Sequence, residues 1–175
     1  MQSIIINNYL SPCGELIIGS YEDKLCLCDW RYRQKREAVD SRIQEGLKTR
    51  YQAGNSFVIE QTIAQLDEYF QKKRTSFDIS LLMVGTDFQK GVWKALIDIP
   101  YGEKETYMGL ALKMNNPKAV RAIASANGAN AISIIIPCHR IIGSDNKLVG
   151  YAGGVAAKKD LLELEFETTK QLSLF

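Results

Sequence analysis

The first half of the chain alternates between short apolar runs and turn residues. Runs of strand length, separated by residues such as Pro12 and Gly14, are typical of short β-strands. The three runs that fit are Ser3–Ile6, Leu16–Ile18 and Leu25–Cys28. They predict the strands of a small α/β module.

The same module also contains a predicted helix. Ser56 has a side chain suited to an N-cap, and four apolar residues recur behind it at helical spacing. They are Ile59, Ile63, Leu66 and Phe70. We therefore expect a helix from Ser56 to about Lys72 and a further strand over Phe77–Met83, all within an α/β N-terminal domain of residues 1–85.

The second half has the spacing of short helices. Asp87 is a predicted N-cap for a helix that ends near Ile99-Pro100. Thr106 can cap a second helix, Tyr107–Lys113, and Asn116 can cap a third with Pro117 at its first position, where a missing N–H costs nothing.

This order of helix, turn and helix is a helix-turn-helix pattern, although many helical hairpins share it. We expect residues 86–168 to form a mostly α domain that contains this helix-turn-helix and a short active-site strand. Residues 169–175 are expected to form a C-terminal tail.

Length and composition narrow the class of protein. A chain of 175 residues can bury a substantial core, and it has no apolar run of about 18 residues that would predict a membrane span. Met1–Ile4 lacks the features of a signal peptide. Four cysteines without paired spacing favour a reducing compartment. We expect a cytoplasmic monomer.

The charge is unevenly distributed although the net charge is only +2. The segment Thr106–Lys159 contains seven cations and one anion, Asp145. A local basic surface of this kind suits phosphate binding, although a solvated basic face would give the same pattern. A second basic cluster, Arg31–Arg36, is interpreted as a solvated strand end or helix start.

The strongest candidate for chemistry is the run Ile134–Arg140, which reads I-I-I-P-C-H-R. Cys138 lies beside His139, the only histidine of the chain. A thiol reacts as the thiolate, and an imidazole can take its proton. Adjacent side chains on an extended strand point to opposite faces, so the pair needs a bend or a bridging water, and Pro137 favours a bend. The alternative is a buried structural cysteine beside a surface histidine.

The run resembles the active-site signature of the O6-alkylguanine-DNA alkyltransferases, of the bacterial type. The resemblance covers about 80 residues, from Phe88 to Glu165. Its motifs are Phe88-Gln89, Val92-Trp93, Ile99-Pro100-Tyr101-Gly102, Thr106-Tyr107, Asn116–Ala122, Asn127–Asn130, Gly150–Gly154, Lys158 and Leu161–Glu165. The first 85 residues match only loosely. The resemblance implies DNA repair by irreversible transfer of an alkyl group from O6 of guanine, and also from O4 of thymine, to Cys138.

The resemblance also implies a role for each residue that matches the motif. His139 would be the base and Glu165 the carboxylate that orients it, as in other nucleophile–base–carboxylate sets. Asn130 would hold the turn before the active-site strand. Tyr107 would contact the target nucleotide, and Lys158 would help to neutralise the departing guanine.

The resemblance places DNA on the second helix of the predicted pair. Arg121 would enter the base stack and occupy the space of the extruded nucleotide, because chemistry on a base requires the base outside the stack. Small side chains around it permit close approach to a duplex. The further predicted DNA-binding residues are Tyr107, Ala119, Ala122, Ser125, Asn127 and Arg140.

The chain departs from the family pattern at Ala131, where proline is common, and at Ala152, where some members have a hydroxyl residue. Asn127 replaces an apolar residue of some members. No cofactor motif is present. Some relatives hold zinc in the N-terminal part, but Cys13, Cys26 and Cys28 offer only three thiols, so we expect buried core thiols and no metal.

Two alternatives remain open: a non-catalytic protein that recognises alkylated guanine, and a cysteine hydrolase that uses Cys138 and His139. The residues Gln171-Leu172-Ser173-Leu174-Phe175 resemble the clamp-binding motif of bacterial replication and repair proteins. In that resemblance Gln171, Leu172, Leu174 and Phe175 would bind the sliding clamp, while docking of the tail onto the protein's own core is the alternative.

Overall fold

The structure is a computed structural model that describes residues 2–174. Its N-terminal part is a sheet with two helices, of which the sequence predicts the second. The elements are β1 (Ile4–Ser11), β2 (Gly14–Tyr21), β3 (Lys24–Trp30), α1 (Arg36–Leu47), β4 (Tyr51–Ala53) and α2 (Phe57–Phe70). The strand order is β3-β2-β1-β4, with β1, β2 and β3 antiparallel and β4 parallel to β1. The strands are longer than the predicted apolar runs.

The prediction of a strand over Phe77–Met83 is wrong. This segment makes one isolated bridge, between Leu25 and Leu81. Gln65 of α2 explains part of the difference, because its side-chain amide both donates to the Asp78 carbonyl (3.2 Å) and accepts from the Asp78 N–H (2.9 Å). These bonds satisfy backbone groups that a strand would have paired.

Helix α1 was predicted only as a possible helix start after the Arg31–Arg36 cluster. Its buried apolar residues are Val39 and Ile43, so the apolar stripe is too short to give a clear periodic signal. Helix α2 begins as predicted, with the Ser56 hydroxyl accepting from the Ile59 N–H.

The C-terminal part is mostly helical. Its elements are α3 (Asp87–Ile97), β5 (Glu105–Thr106), α4 (Tyr107–Lys113), α5 (Val120–Gly128), β6 (Ile141–Ile142) and α6 (Val155–Leu172), with 3₁₀ turns at Pro117–Ala119 and Cys138–Arg140. Thr106 caps α4 as predicted. The predicted cap of α3 is off by one residue, because Thr86, and not Asp87, forms a capping box with Gln89.

Helices α4 and α5 form the predicted helix-turn-helix, although Asn116 makes no side-chain cap. Among residues 2–174, no helix is long and apolar enough to cross a membrane.

The N-terminal sheet and the helical part share one continuous core. Trp30 and Leu66 belong to the same cluster of buried residues as Trp93, Ile132 and Cys138. Backbone hydrogen bonds also join the two parts at β3, since the Cys28 N–H donates to the Ala131 carbonyl (2.9 Å) and the Ser133 N–H donates to the Cys28 carbonyl (2.7 Å). The sheet therefore supports the segment that leads to Cys138.

Candidate active site

A tight turn presents Cys138. Pro137 has φ −81° and ψ 62°, and the chain then enters the 3₁₀ turn Cys138–Arg140, which β6 follows directly. The bend expected from Pro137 is present, and the short strand adjoins the cysteine rather than containing it. Ile134 has a φ of 72°, which is unfavourable for a β-branched residue. Such a conformation persists only where its surroundings fix it.

Hydrogen bonds from the side chain of Asn130 hold much of this turn in place. Its amide nitrogen donates to the Ile136 carbonyl (2.9 Å) and to the Ile132 carbonyl (3.4 Å), and its oxygen accepts from the Ile132 N–H (3.0 Å). Asn130 is 1% exposed. It therefore ties both sides of the strained segment to one buried side chain.

Glu165 of α6 is the centre of a buried hydrogen-bond network. His139 Nε2 lies 2.7 Å from Glu165 Oε1. Arg140 donates to both carboxylate oxygens, from Nε at 2.9 Å and from Nη2 at 3.0 Å. The Tyr69 hydroxyl of α2 donates to Oε1 at 2.8 Å. A fully buried carboxylate needs such partners.

The charges in this network have a clear consequence for the histidine. Burial alone would raise the pKa of Glu165, but His139 and Arg140 lower it to about 2. Burial lowers the pKa of His139 even though Glu165 opposes the change. An ionised Glu165 accepts the hydrogen bond, so Nε2 of a neutral His139 carries the proton. Its other nitrogen, Nδ1, is buried without a partner among the described residues and keeps a free lone pair.

Cys138 lies at the wall of a cavity of about 900 Å³ that also reaches Trp30, Arg33, Asn127 and Tyr151. Burial raises the pKa of the Cys138 thiol, whereas Asn130, Lys158 and Arg33 lower it. The buried thiol is therefore mostly protonated at neutral pH, and the cations nearby favour its ionised form.

Tyr107 and Lys158 lie close to this thiol. Burial raises the pKa of the Tyr107 phenol, Cys138 adds to the rise, and Asn127 opposes it. The Lys158 ammonium donates to the Val149 carbonyl (3.0 Å), and the side chain is buried in α6. Asn127 is 6% exposed and its Oδ1 has no hydrogen-bond partner among residues 2–174. The structure thus brings Tyr107, Asn127, Asn130, Lys158 and Cys138 together.

Comparisons with known proteins identify the family of the chain. Residues 4–83 match the family model of the 6-O-methylguanine DNA methyltransferase ribonuclease-like domain, and residues 87–167 match the model of the DNA binding domain of the same enzyme. The methylated-DNA–protein-cysteine methyltransferase of Methanosarcina barkeri is 44% identical over 155 residues, which cover 89% of this chain and 92% of that protein. The chain belongs to the methylated-DNA–protein-cysteine methyltransferase family.

Solved structures of this family have the same fold. The crystal structure of Mycobacterium tuberculosis O6-methylguanine methyltransferase superposes with a TM-score of 0.80 at 36% identity, and covers 94% of each chain. A structure of Mycobacterium tuberculosis OGT in complex with DNA gives a TM-score of 0.79 at 37% identity, again over 94% of each chain. The fold class expected from the sequence is confirmed.

The helix predicted to contact DNA has an exposed face of small residues. Arg121, Ala122 and Ser125 are exposed on α5, and Ala119 is partly buried at its start. Arg140 lies elsewhere. Its side chain is 8% exposed, and besides binding Glu165 it donates to the Ile99 carbonyl (2.6 Å). This placement does not fit the predicted contact of Arg140 with DNA, because its guanidinium is already occupied inside the protein.

The basic segment is less available than its composition indicates. Lys113 pairs with Glu105, Lys147 pairs with Asp145, and Lys158 is buried. Lys118 and Arg121 remain exposed on the helix-turn-helix. Lys113, Lys147 and Lys159 also stay exposed despite their ion pairs, so the positive charge that a duplex could meet extends beyond the helix-turn-helix.

Sequence reasoning missed Tyr69, which binds Glu165 although the two are 96 positions apart. Because Tyr69 lies in an apolar stretch of α2, the sequence indicated only that it would be buried in the core. For the other cysteines, burial is confirmed for Cys26 and Cys28, while Cys13 is half-buried. Within residues 2–174 no group of three potential metal ligands comes together.

Proposed function

We propose that this chain repairs DNA by transferring an alkyl group from O6 of guanine, or O4 of thymine, to Cys138. The observation that carries the proposal is a buried thiol at the wall of a cavity. The residue that follows it, His139, is neutral and is hydrogen-bonded to the carboxylate of Glu165. Relatives of the family are methylated-DNA–protein-cysteine methyltransferases, which supports the same reaction. Cys13 borders the same cavity, but neither it nor Cys26 or Cys28 has a histidine beside it in the sequence.

The reaction is an in-line displacement at the alkyl carbon. The thiol proton of Cys138 passes through one bridging water to Nδ1 of His139, because that nitrogen has a free lone pair and the Cys138 sulfur lies outside hydrogen-bonding distance of it. The sulfur forms a bond to the alkyl carbon while the bond from that carbon to O6 breaks. The electron pair of the broken bond leaves with guanine, which takes up a proton. Glu165 stabilises the imidazolium that forms.

Three further side chains are proposed to bind the target base. Tyr107, whose pKa the nearby Cys138 helps to raise, is proposed to contact the extruded nucleotide. Asn127 offers an unpartnered acceptor at the cavity wall, which suits an N–H of guanine. Lys158 brings positive charge near the oxygen from which the alkyl group departs.

Helix α5 is proposed to engage the duplex. Its exposed small residues, Ala122 and Ser125, permit close approach, and Arg121 can fill the place of the extruded base because a guanidinium stacks on bases while it stays charged. Lys118, in the 3₁₀ turn that leads into α5, is proposed to bind phosphate. We assign Arg140 to the support of Glu165.

The product thioether is chemically stable, so each molecule is proposed to act once. With excess duplex that contains O6-methylguanine, the number of repaired lesions should level off at the number of protein molecules. Cys138→Ser should bind the duplex without repairing it. Continued turnover by the wild type would favour a cysteine hydrolase, and binding without loss of the lesion would favour a recognition protein.

The tail is proposed to bind a bacterial sliding clamp. Leu172 is 60% exposed and Leu174 is 76% exposed, so neither is docked on the protein's own core; Phe175 lies outside the described residues. Helix α6 continues to Leu172, so an extended bound form would require its last turn to unwind.

Removal of Gln171–Phe175 should abolish capture by immobilised clamp and leave repair of a short oligonucleotide unchanged. Capture that survives this deletion would rule out the tail as the clamp-binding segment. Short apolar anchors of this kind bind at about micromolar dissociation constants, so the assay should cover that range.

A further inference from the structure

Two arginines of the N-terminal sheet module hold the C-terminal end of α5. Arg33 Nη2 donates to the Gly128 carbonyl (2.6 Å), and Arg33 Nη1 donates to the Asn130 carbonyl (3.3 Å). Arg42 Nη2 donates to the Ala129 carbonyl between them (2.7 Å). Carbonyls at a helix C-terminus lack partners within the helix and attract cations. Three consecutive carbonyls are therefore bound by side chains about 90 positions earlier in the sequence.

A buried carboxylate fixes the position of Arg33. Asp29 is fully buried at the end of β3 and accepts from Arg33 Nη1 (3.1 Å) and Arg36 Nη1 (3.0 Å). The Ser133 hydroxyl lies 3.3 Å from Asp29 Oδ1. The Arg33 side chain is only 7% exposed. The guanidinium of Arg33 is thus bound by a buried carboxylate as well as by the two carbonyls, which leaves the side chain little rotational freedom. It therefore fixes the position of the carbonyls.

The carbonyls bound by Arg33 belong to the segment that shapes the active site. Asn130 ties the strained turn before Cys138, and Asn127, at the end of α5, borders the same cavity as Cys138 and Arg33. A displacement of this segment would move the turn and the cavity wall together. A misplacement of about 1 Å at a reacting group can slow a reaction by roughly a hundredfold.

We propose that Arg33 is a positioning residue for alkyl transfer, which fixes the end of α5 and the Asn130 turn relative to Cys138. The inference rests on the proposed function. It gives the N-terminal module a part in the reaction through Arg33, with Asp29 as its anchor. Arg33 touches no reacting atom and acts mainly through the backbone that it binds, while its charge also favours the ionised form of Cys138.

The test replaces Arg33 by methionine and uses Arg74→Met as the matched control. Arg74 lies in the same module and binds Glu68 and the Ser76 carbonyl, away from α5. Each variant is reacted with free O6-benzylguanine over a range of concentrations, which separates the maximal rate from the half-saturating concentration. A second series uses methylated duplex, and affinity for unmodified duplex is measured separately.

For Arg33→Met, we expect the maximal rate to fall roughly ten- to a hundredfold on both substrates. Duplex affinity and the half-saturating concentration should stay within about twofold of the wild type. Arg33→Lys should recover part of the rate, because lysine keeps the charge but cannot bind two carbonyls and a carboxylate as a fork. Arg74→Met should react as the wild type does.

Three results would overturn the inference. If Arg33→Met reacts normally with O6-benzylguanine and slowly with duplex, Arg33 is a DNA contact. If the folded fraction, measured by circular dichroism, accounts for the whole loss of rate, Arg33 only stabilises the fold. If the methionine variant does not fold, Arg33→Lys takes its place, and a wild-type rate for it contradicts the proposal. Failure of the proposed function is distinct, since the wild type itself would then gain no alkyl group.

Discussion

At the scale of single residues, the site depends on keeping a charged carboxylate inside the protein. Glu165 is fully buried and is bound by His139, Arg140 and Tyr69. These partners keep Glu165 ionised, and the ionised carboxylate in turn fixes which nitrogen of His139 carries the proton. The sequence motif predicted the pairing of His139 with Glu165. It did not predict Tyr69, because a tyrosine in an apolar helix stretch gives no sign of a distant partner.

Glu165 should also make the stability of the protein depend on pH. Its pKa in the folded protein is about 2, below the ordinary value, so the stabilisation is complete above pH ~4.5 and is lost as pH falls toward 2. Glu165→Gln should remove most of this dependence. At neutral pH it should lower the free energy of unfolding by about 3 kcal/mol or more, since Arg140 loses its partner.

Urea unfolding of both proteins between pH 7 and pH 2 measures this effect. Glu163→Gln is the control, because Glu163 is exposed on the same helix and its contact with Lys159 is long, at 3.7 Å. An acid dependence of Glu165→Gln equal to that of the wild type would show that another group titrates.

At the scale of elements, the helices of the C-terminal part were predicted well and the N-terminal elements less well. Caps such as Thr106 and Ser56 act within a few residues of the chain, so they can be read from sequence. The conformation of the segment Phe77–Met83 could not be predicted in this way, because the side chain of Gln65 in α2 forms hydrogen bonds with its backbone at Asp78. The Arg31–Arg36 cluster was interpreted as solvated, yet Arg33 and Arg36 bind the buried Asp29.

The role proposed for α5 predicts a difference between two substrates. Arg121→Ala should slow repair of duplex by at least about tenfold, because extrusion of a base costs a few kcal/mol and the variant lacks the group that fills the vacancy. Reaction with free O6-benzylguanine needs no extrusion and should be unchanged. Lys118→Ala, the control, should weaken duplex binding without this selective loss of rate. Equal losses on both substrates would show that Arg121 supports the pocket instead.

At the scale of the whole molecule, the two parts of the chain form one structure around the active site. Hydrogen bonds join Tyr69 to Glu165, 96 positions away in the sequence, and Arg33 to Gly128, 95 positions away. The motif from Phe88 to Glu165 predicted most of the candidate site, because the family resemblance implies a role for each matching residue. The contribution of residues 1–85 could not be predicted, because it depends on contacts that exist only after folding.

The most direct test of the central claim is the intact mass of the protein after mixing with duplex DNA that contains O6-methylguanine, followed by peptide mapping. The account predicts the mass gain of a single methyl group, located on Cys138, and no gain for Cys138→Ser. A methyl group on Cys13, Cys26 or Cys28, or disappearance of the lesion without any gain in protein mass, would contradict it.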